Sequence, residues 1–339
     1  MAFIGDFQRE MKRQSGRRRC LHFDKGEHCN EFIAAHSIQK SGQLKSIAED
    51  GHVYRLSADY SILKSTGGIP TPKKIGVNHA STFAGFCKYH DNELFKPIDQ
   101  EALAPNHKQI ALYAYRCVCR EFFVKVNAVR AMENLQNHSS LAPYARDYLH
   151  SSLKGHGLGL EGLKYHKEKF EKSIKANEQY DFEHILFTST SACPLQMSGL
   201  LYPDFTFTGE KLQNLGNWDF PLDLITFFTA PTADGWGFGF AWHVTSQKTC
   251  EAFVRSLGSF VAHGGKLEDA LLRFSFSCCE NHAFRISWWD KLPDESKTAL
   301  IHRMCLMAAP NIPVPQGYLT QGCEGIADWN FGYVLTNQR

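Results

Sequence analysis

Apolar and polar positions change rhythm twice along this chain. Residues 105–137 (PNHKQIALYAYRCVCREFFVKVNAVRAMENLQN) repeat apolar side chains at helical spacing behind a proline, and they predict one long helix. A second helical stretch is predicted over 141–176, broken by GHGLGLEG, which reads as a loop. From residue 181 the texture becomes β-rich. HILFTSTS, FTFTG, LDLITFFTA, WGFGFAWHV and LRFSFSC predict strands, while TCEAFVRSLGSF and DESKTALIHRMCLM predict helices among or after them. Ahead of the long helix the elements are short. Residues 1–19 predict a helix or arm that turns basic, FIAAHSI and HVYRLS predict strands, and SGQLKSIAEDG predicts a short helix ended by Gly51. Residues 65–78 (STGGIPTPKKIGVN) read as an exposed loop, and 80–98 as a turn entering a helix that stops before Pro97.

This pattern predicts an α+β protein: an N-terminal module over 1–100, a helical segment over 101–180, and a β-rich α+β domain over 181–339. With 43% hydrophobic and 21% charged residues the composition is ordinary for a globular chain, and the 25 phenylalanines predict an aromatic core. The net charge of +2 gives no global sign of an acidic partner. No stretch reaches the roughly 20 apolar residues that span a bilayer, and MAFIGDFQREMKRQ lacks the apolar run of a signal peptide. The expectation is a soluble, cytoplasmic protein with no membrane partner.

Eleven cysteines in a reducing compartment are either small buried hydrophobes or metal ligands. Cys20 and Cys29 flank the turn DKGEHC, and Cys87 and His90 form C-x2-H where a turn meets a helix. Two such pairs supply the four ligands of a tetrahedral structural Zn²⁺ site, closed at about 2.0–2.3 Å. A helix N-terminus also favours thiolate over thiol. His22 and His28, on the same turn, are rival ligands.

The order of Cys20, Cys29, then Ala35-His36-Ser37-Ile38, then Cys87-Lys88-Tyr89-His90-Asp91 resembles an HNH endonuclease domain on a zinc-bound treble-clef, or ββα, frame. The resemblance covers residues 20–91. It implies that His36 is the general base on a water attacking phosphorus, that Asp91 holds one divalent ion such as Mg²⁺ or Mn²⁺, and that Asn78 is the middle residue that orients the histidine loop. His79 and Ser81 are alternatives for that last place. A neutral imidazole suits the base role near pH 7. The chain departs from the HNH pattern in three ways: Ala35 precedes His36 where an acidic or histidine ligand is expected, Asp91 stands where His or Asn is more usual, and 51 positions separate His36 from Cys87.

Arg17, Arg18 and Arg19 lie just before the first cysteine, and Lys73 and Lys74 in the long loop. Together they are candidates for gripping the phosphates of DNA or RNA on both sides of His36. By the same resemblance, HNH modules joined to unfamiliar companions suggest a role in bacterial or antiviral defence. Two other readings stand beside the nuclease: a non-catalytic zinc knuckle that binds nucleic acid, and an interaction or sensor protein that meets a protein partner through its C-terminal domain. Cys117 and Cys119 are expected to be core thiols, and Trp236–His243 a half-buried strand. Cys278, Cys279, Glu280, Asn281 and His282 are expected to be core thiols beside a polar turn, or else part of a contact surface with Trp288 and Trp289. No phosphate-cradling, dinucleotide-binding or nucleophile-elbow motif is present.

Overall fold

The computed structural model describes residues 2–24, 26, 28–217, 221–306 and 313–336. Lys25 and Glu27 of the turn between the first cysteines, and Met307 at the end of a predicted helix, lie outside them.

Helix α1 (Ala2–Ser15) sets Phe3 and Phe7 against Met132, Leu141 and Leu149. Strand β1 (Phe32–His36) follows, then an insertion: a π-turn Lys40–Leu44 running into α2 (Lys45–Ile47), β2 (His52–Ser57), α3 (Tyr60–Ser65) and β3 (Thr71–Gly76). Strand β3 corrects the loop expected over 65–78. It is the last strand of its sheet, with Lys73 and Lys74 exposed, so neither an apolar alternation nor a proline-free sequence is required of it.

Strand β4 (Thr82–Cys87) returns to pair antiparallel with β1, His36 opposite Thr82, and leads straight into α4 (Lys88–Asp99). The helix does not stop before Pro97 but carries it inside. Only a short last turn follows the proline, and the Pro97 carbonyl accepts from Gln109 Nε2 at 3.0 Å.

Helix α5 (His107–Leu135) is capped by Asn106, whose side chain accepts from the Gln109 amide at 2.9 Å. From Gln109 to Cys119 every residue is buried, because α5 lies between the large sheet, the β1–β4 hairpin and α6 (Pro143–Lys175). Helix α6 runs unbroken through GHGLGLEG, the second correction. Leu163, His166, Phe170 and Ser173 recur at three- and four-residue spacing and are buried, and packing on α5 outweighs the low helix propensity of the glycines.

The remaining elements are β5 (Phe182–Ser189), β6 (Leu195–Leu201), β7 (Ile225–Thr232), β8 (Gly235–His243), α7 (Gln247–Ala262), α8 (Leu267–Cys278), β9 (His282–Phe284), α9 (Ile286–Lys291), α10 (Asp294–Cys305) and β10 (Phe331–Thr336). LRFSFSC, expected as a strand, is the second half of α8. Its Arg-Phe-Ser-Phe-Ser alternation imitates a strand, but the helix is buried from Asp269 to Ser277, so the polar positions do not mark a solvent face. Arg273 there is fully buried and donates to the Leu319 and Gly322 carbonyls at 2.7 and 2.8 Å.

Eight strands form one antiparallel sheet in the order β10-β5-β8-β7-β6-β9-β2-β3. Residues from 1–100 and from 181–339 therefore share a sheet, and 101–180 supplies the helices on one face. That face and the hairpin share a core running from Cys20 to Ala241. The other face packs an aromatic core that includes Phe227, Phe240, Phe253 and Phe274 against α7 and α8. Close ring packing explains Gly239: a Cβ there would lie 2.8 Å from the Phe228 ring.

The hairpin is tied to the sheet by one buried polar knot. Asn281 Nδ2 donates to Ser37 Oγ (2.9 Å) and to the Ser198 carbonyl (3.0 Å), and Asn281 Oδ1 accepts from Ser81 Oγ (2.9 Å). Among the described residues no helix is long and apolar enough to cross a membrane.

Candidate metal centre and adjoining histidine site

Each of the four candidate ligands is placed by a different local device. Residues 19–21 run along β4, with the Arg19 and Leu21 amides donating to Ala84 and Gly85, and this fixes Cys20. The Cys29 amide closes a turn onto the Gly26 carbonyl at 3.0 Å. Cys87 ends β4 and caps α4, its sulfur accepting from the His90 amide at 3.4 Å. His90 sits in the first turn of α4.

The ligating atoms of Cys20, Cys29, Cys87 and His90 all lie within 4.8 Å of one another, a cluster that could hold one metal ion. His90 Nδ1 is 3.5, 3.4 and 3.1 Å from the sulfurs of Cys20, Cys29 and Cys87, and the sulfurs of Cys20 and Cys87 are 3.9 Å apart. Burial, chiefly, with the neighbouring Cys87 and Cys29 sulfurs, pushes the Cys20 thiol up to about 11, the opposite of what a bound cation would do. The rival histidines stand outside the cluster. His22 stacks on His90, centroids 4.1 Å apart, with its Nδ1 accepting from the Asp24 amide, and His28 stacks on Tyr89. All eleven cysteines are free thiols, with Cys117 and Cys119 buried in the core as their spacing suggested.

His36 ends β1, half-buried. Its Nε2–H donates to the Val77 carbonyl at 3.1 Å, which leaves Nδ1 with its lone pair and no partner among the described residues. Burial, chiefly, holds its pKa below the ordinary value, so the ring is neutral at pH 7. Asp91 lies in the first turn of α4, next to the metal cluster in sequence. Burial pushes its carboxyl up to about 6, against the pull of Arg116.

Sequence reasoning missed Arg116 and Asp99. Arg116, fully buried on α5, grips Asp99 through two hydrogen bonds of 2.7 and 2.8 Å, and its guanidinium stacks 4.1 Å over Phe95. The pair is within electrostatic reach of both His36 and Asp91. The available signal was a lone arginine inside the apolar run ALYAYRCVC.

Asn78 is exposed on the turn between β3 and β4. The neighbouring Val77 carbonyl makes the contact that orients His36. His79 is exposed on the same turn, and Ser81 belongs to the buried knot with Ser37 and Asn281. In the basic arm, Arg17 is exposed and Arg18 donates to the Phe32 carbonyl. Arg19 is pinned to α5, bonded to the Phe123 carbonyl and Asn127 at 2.9 and 2.8 Å over the Phe123 ring, so it does not reach outward with the other two. Lys73 pairs with Asp59 at 3.1 Å and Lys74 is exposed, both on β3. Of the polar run, Asn281 and His282 are buried and Glu280 is exposed, and Trp288 and Trp289 pack on Phe276 and Phe284.

No protein-family model, curated protein or solved structure matches this chain.

Proposed function

We propose that residues 20–99 form a zinc-stabilised, HNH-like module that hydrolyses phosphodiester bonds in DNA or RNA. The observation that carries this reading is the placing of His36. A neutral imidazole ends a strand with one nitrogen fixed by a backbone carbonyl and the other free, and the paired strand, ending in Cys87, leads directly into the helix that bears His90 and Asp91.

Zinc is the ion that suits the cluster. Bonds of about 2.3 Å to sulfur and about 2.0 Å to nitrogen at tetrahedral angles separate ligands by about 3.8 and about 3.5 Å, close to the 3.9 Å between the Cys20 and Cys87 sulfurs and the 3.5 and 3.4 Å from His90 to Cys20 and Cys29, with Cys87 nearer His90 at 3.1 Å. Three thiolates and one imidazole leave no open position, so this ion supports the fold rather than the chemistry. A hydrolytic ion has a thinner donor set. Among the described residues no second group of three ligands exists, and Ala35 offers nothing. Asp91 suffices for Mg²⁺ or Mn²⁺, which commonly take one or two carboxylates and complete their shell with water and substrate phosphates. Such an ion supplies charge neutralisation at the scissile phosphate.

The chain's own contribution is simple. His36 Nδ1 accepts a proton as a water oxygen attacks phosphorus. The opposite P–O ester bond breaks, and the departing oxygen takes a proton from solvent. Arg17, Arg18, Lys73 and Lys74 supply exposed charge for the phosphate backbone.

The direct test is incubation of the purified protein with plasmid DNA and with RNA in Mg²⁺ or Mn²⁺, beside a His36→Ala variant of equal folded yield. Cleavage by the parent and its loss in the variant supports the reading; equal cleavage by both removes His36 from the mechanism. The second reading, a non-catalytic zinc module that binds nucleic acid, is favoured by Ala35. It is the outcome if neither protein cleaves and both bind DNA.

A further inference from the structure

A second group of charged side chains gathers away from the histidine site. Arg55 lies on β2, Arg120, Glu121 and Lys125 on α5, His156 on α6, and Glu280 just after α8. Strand pairing shows how these elements meet. Tyr54, Phe284 and Leu195 are register partners and line the aromatic core, so alternation turns Arg55 to the opposite face of the sheet. That is the face α5 covers, where Cys117 Sγ meets Ser198 Oγ at 3.3 Å. Further along α5, Arg120 and Lys125 stand to either side of the Cys117 direction around the helix. Arg55 and Arg120 are within electrostatic reach of each other and of Glu280, and Lys125 is in reach of Glu121 and Glu280.

Five of the six are half-buried and Glu280 is exposed. None of the nitrogens of Arg55, Arg120 or Lys125 is among the sealed polar atoms that lack a partner. Water therefore reaches the guanidinium nitrogens of Arg55 and Arg120 that lack a partner, while the half-buried Lys125 ammonium rests on His156. Their pairing is poor. Among the described residues Arg55 has no hydrogen-bond or ion-pair partner. Arg120 pairs only with Glu121, its neighbour in the chain. Lys125 donates only to His156 Nδ1, at 3.3 Å. That imidazole is neutral, its pKa pushed down to about 4 by burial and by Lys125. Burial likewise lowers the pKa of Arg55 and Lys125, so both bear a desolvation cost that no protein carboxylate offsets directly. The three cations face Glu121, the exposed Glu280 and, beside Arg55, Asp59, which is already paired with Lys73.

We propose that this recess between β2, α5 and α6 binds a small phosphorylated ligand, with Arg55, Arg120 and Lys125 holding its phosphate oxygens. Two guanidinium forks and an ammonium match a group with several oxygens and more than one negative charge. The half-burial of the cations favours a compact ligand over a polymer backbone, whose phosphates would have to enter the recess. A cavity of about 460 Å³ lined by Phe7, Gln8, Met11, Asp59 and Ser61 lies close by, with Asp59 in electrostatic reach of Arg55. Its size is that of an ordinary small-molecule site, and Asp59 disfavours a phosphate on that wall.

The test is calorimetric titration of the full chain with inorganic phosphate and with pyrophosphate at constant ionic strength, supported by melting curves. Pyrophosphate is expected to bind at about one equivalent with Kd below about 1 mM and more tightly than phosphate. Arg55→Gln and Lys125→Met are each expected to weaken it by about tenfold or more. Without ligand, Arg55→Gln is expected to melt at or above the parent, since an enclosed unpaired cation has been removed; this shows that lost binding is not lost folding. Absence of heat and of any shift in melting with either probe would overturn the proposal, as would equal affinity in the Arg55 variant. If a short DNA duplex loses as much affinity as pyrophosphate on Arg55→Gln, the cations serve a nucleic-acid backbone and the small-ligand assignment fails.

Discussion

Arg116 and Asp99 are unequal partners. The Arg116 side chain is 3% exposed and that of Asp99 29%. Guanidinium cannot lose its proton in this range, whereas Asp99 can be rehydrated. Removing Asp99 should therefore cost more than removing Arg116: about 3–5 kcal/mol for Asp99→Ala and about 1–3 kcal/mol for Arg116→Met, read from urea unfolding. Equal costs would show that the pair is not anchored by the buried cation. His36 gives the second expectation at this scale. Its pKa lies below the ordinary 6.5 through burial, so cleavage should fall only as pH drops below about 6.5 and stay level through neutrality. A limb centred above 7 would assign the base elsewhere. The four metal-ligand candidates were legible in the sequence because spacing and residue type restrict thiolate and imidazole chemistry so narrowly. Arg116 was not, since one charge in an apolar helix has no pattern, and its meaning comes from Asp99, seventeen positions earlier in the chain.

Helices and strands were legible where one face meets water. They were misread where burial or an edge removes that asymmetry. Helix α8 is buried on all sides, β3 is an edge strand with exposed lysines, and α6 spans glycines that look like a loop in isolation. Helix α6 offers a test. A Cβ at Gly155 or Gly157 would meet nothing within 4 Å, and neither has positive φ, whereas one at Gly162 would come within 3.0 Å of the Tyr202 hydroxyl. Gly155→Ala and Gly157→Ala should each stabilise the protein by about 0.5–1 kcal/mol, and Gly162→Ala should not. If both outward substitutions destabilise, residues 155–162 are a loop after all. The chain order of β1, β4 and α4 was partly visible. The insertion was not, because β2 and β3 complete the edge of a sheet whose other six strands begin more than a hundred residues later.

Across the whole molecule, acid should act through buried histidines. The pKa of His166 and of His282 is pushed down to about 4 by burial. The unfolded chain binds protons near 6.5, so each ring favours the folded state fully above that pH, and its contribution is lost as pH falls from about 6.5 to about 4. The loss is about 3 kcal/mol per group at most. Urea midpoints measured across this window should decline, and His282→Asn should flatten the decline by one group's share; an unchanged slope would mean that this ring is protonated in the fold. The candidate metal centre sets the larger scale. It joins the basic arm, the hairpin and α4, and both the nuclease reading and the non-catalytic one rest on it. With zinc bound there, Cys87→Ser should lose the ion and unfold this region, since ligand energy is folding energy. The most direct measurement is zinc-edge X-ray absorption on the protein as purified. About one zinc per chain with three sulfurs at about 2.3 Å and one nitrogen at about 2.0 Å is the expected result. A chain without zinc, or a shell of oxygen and nitrogen alone, would contradict it.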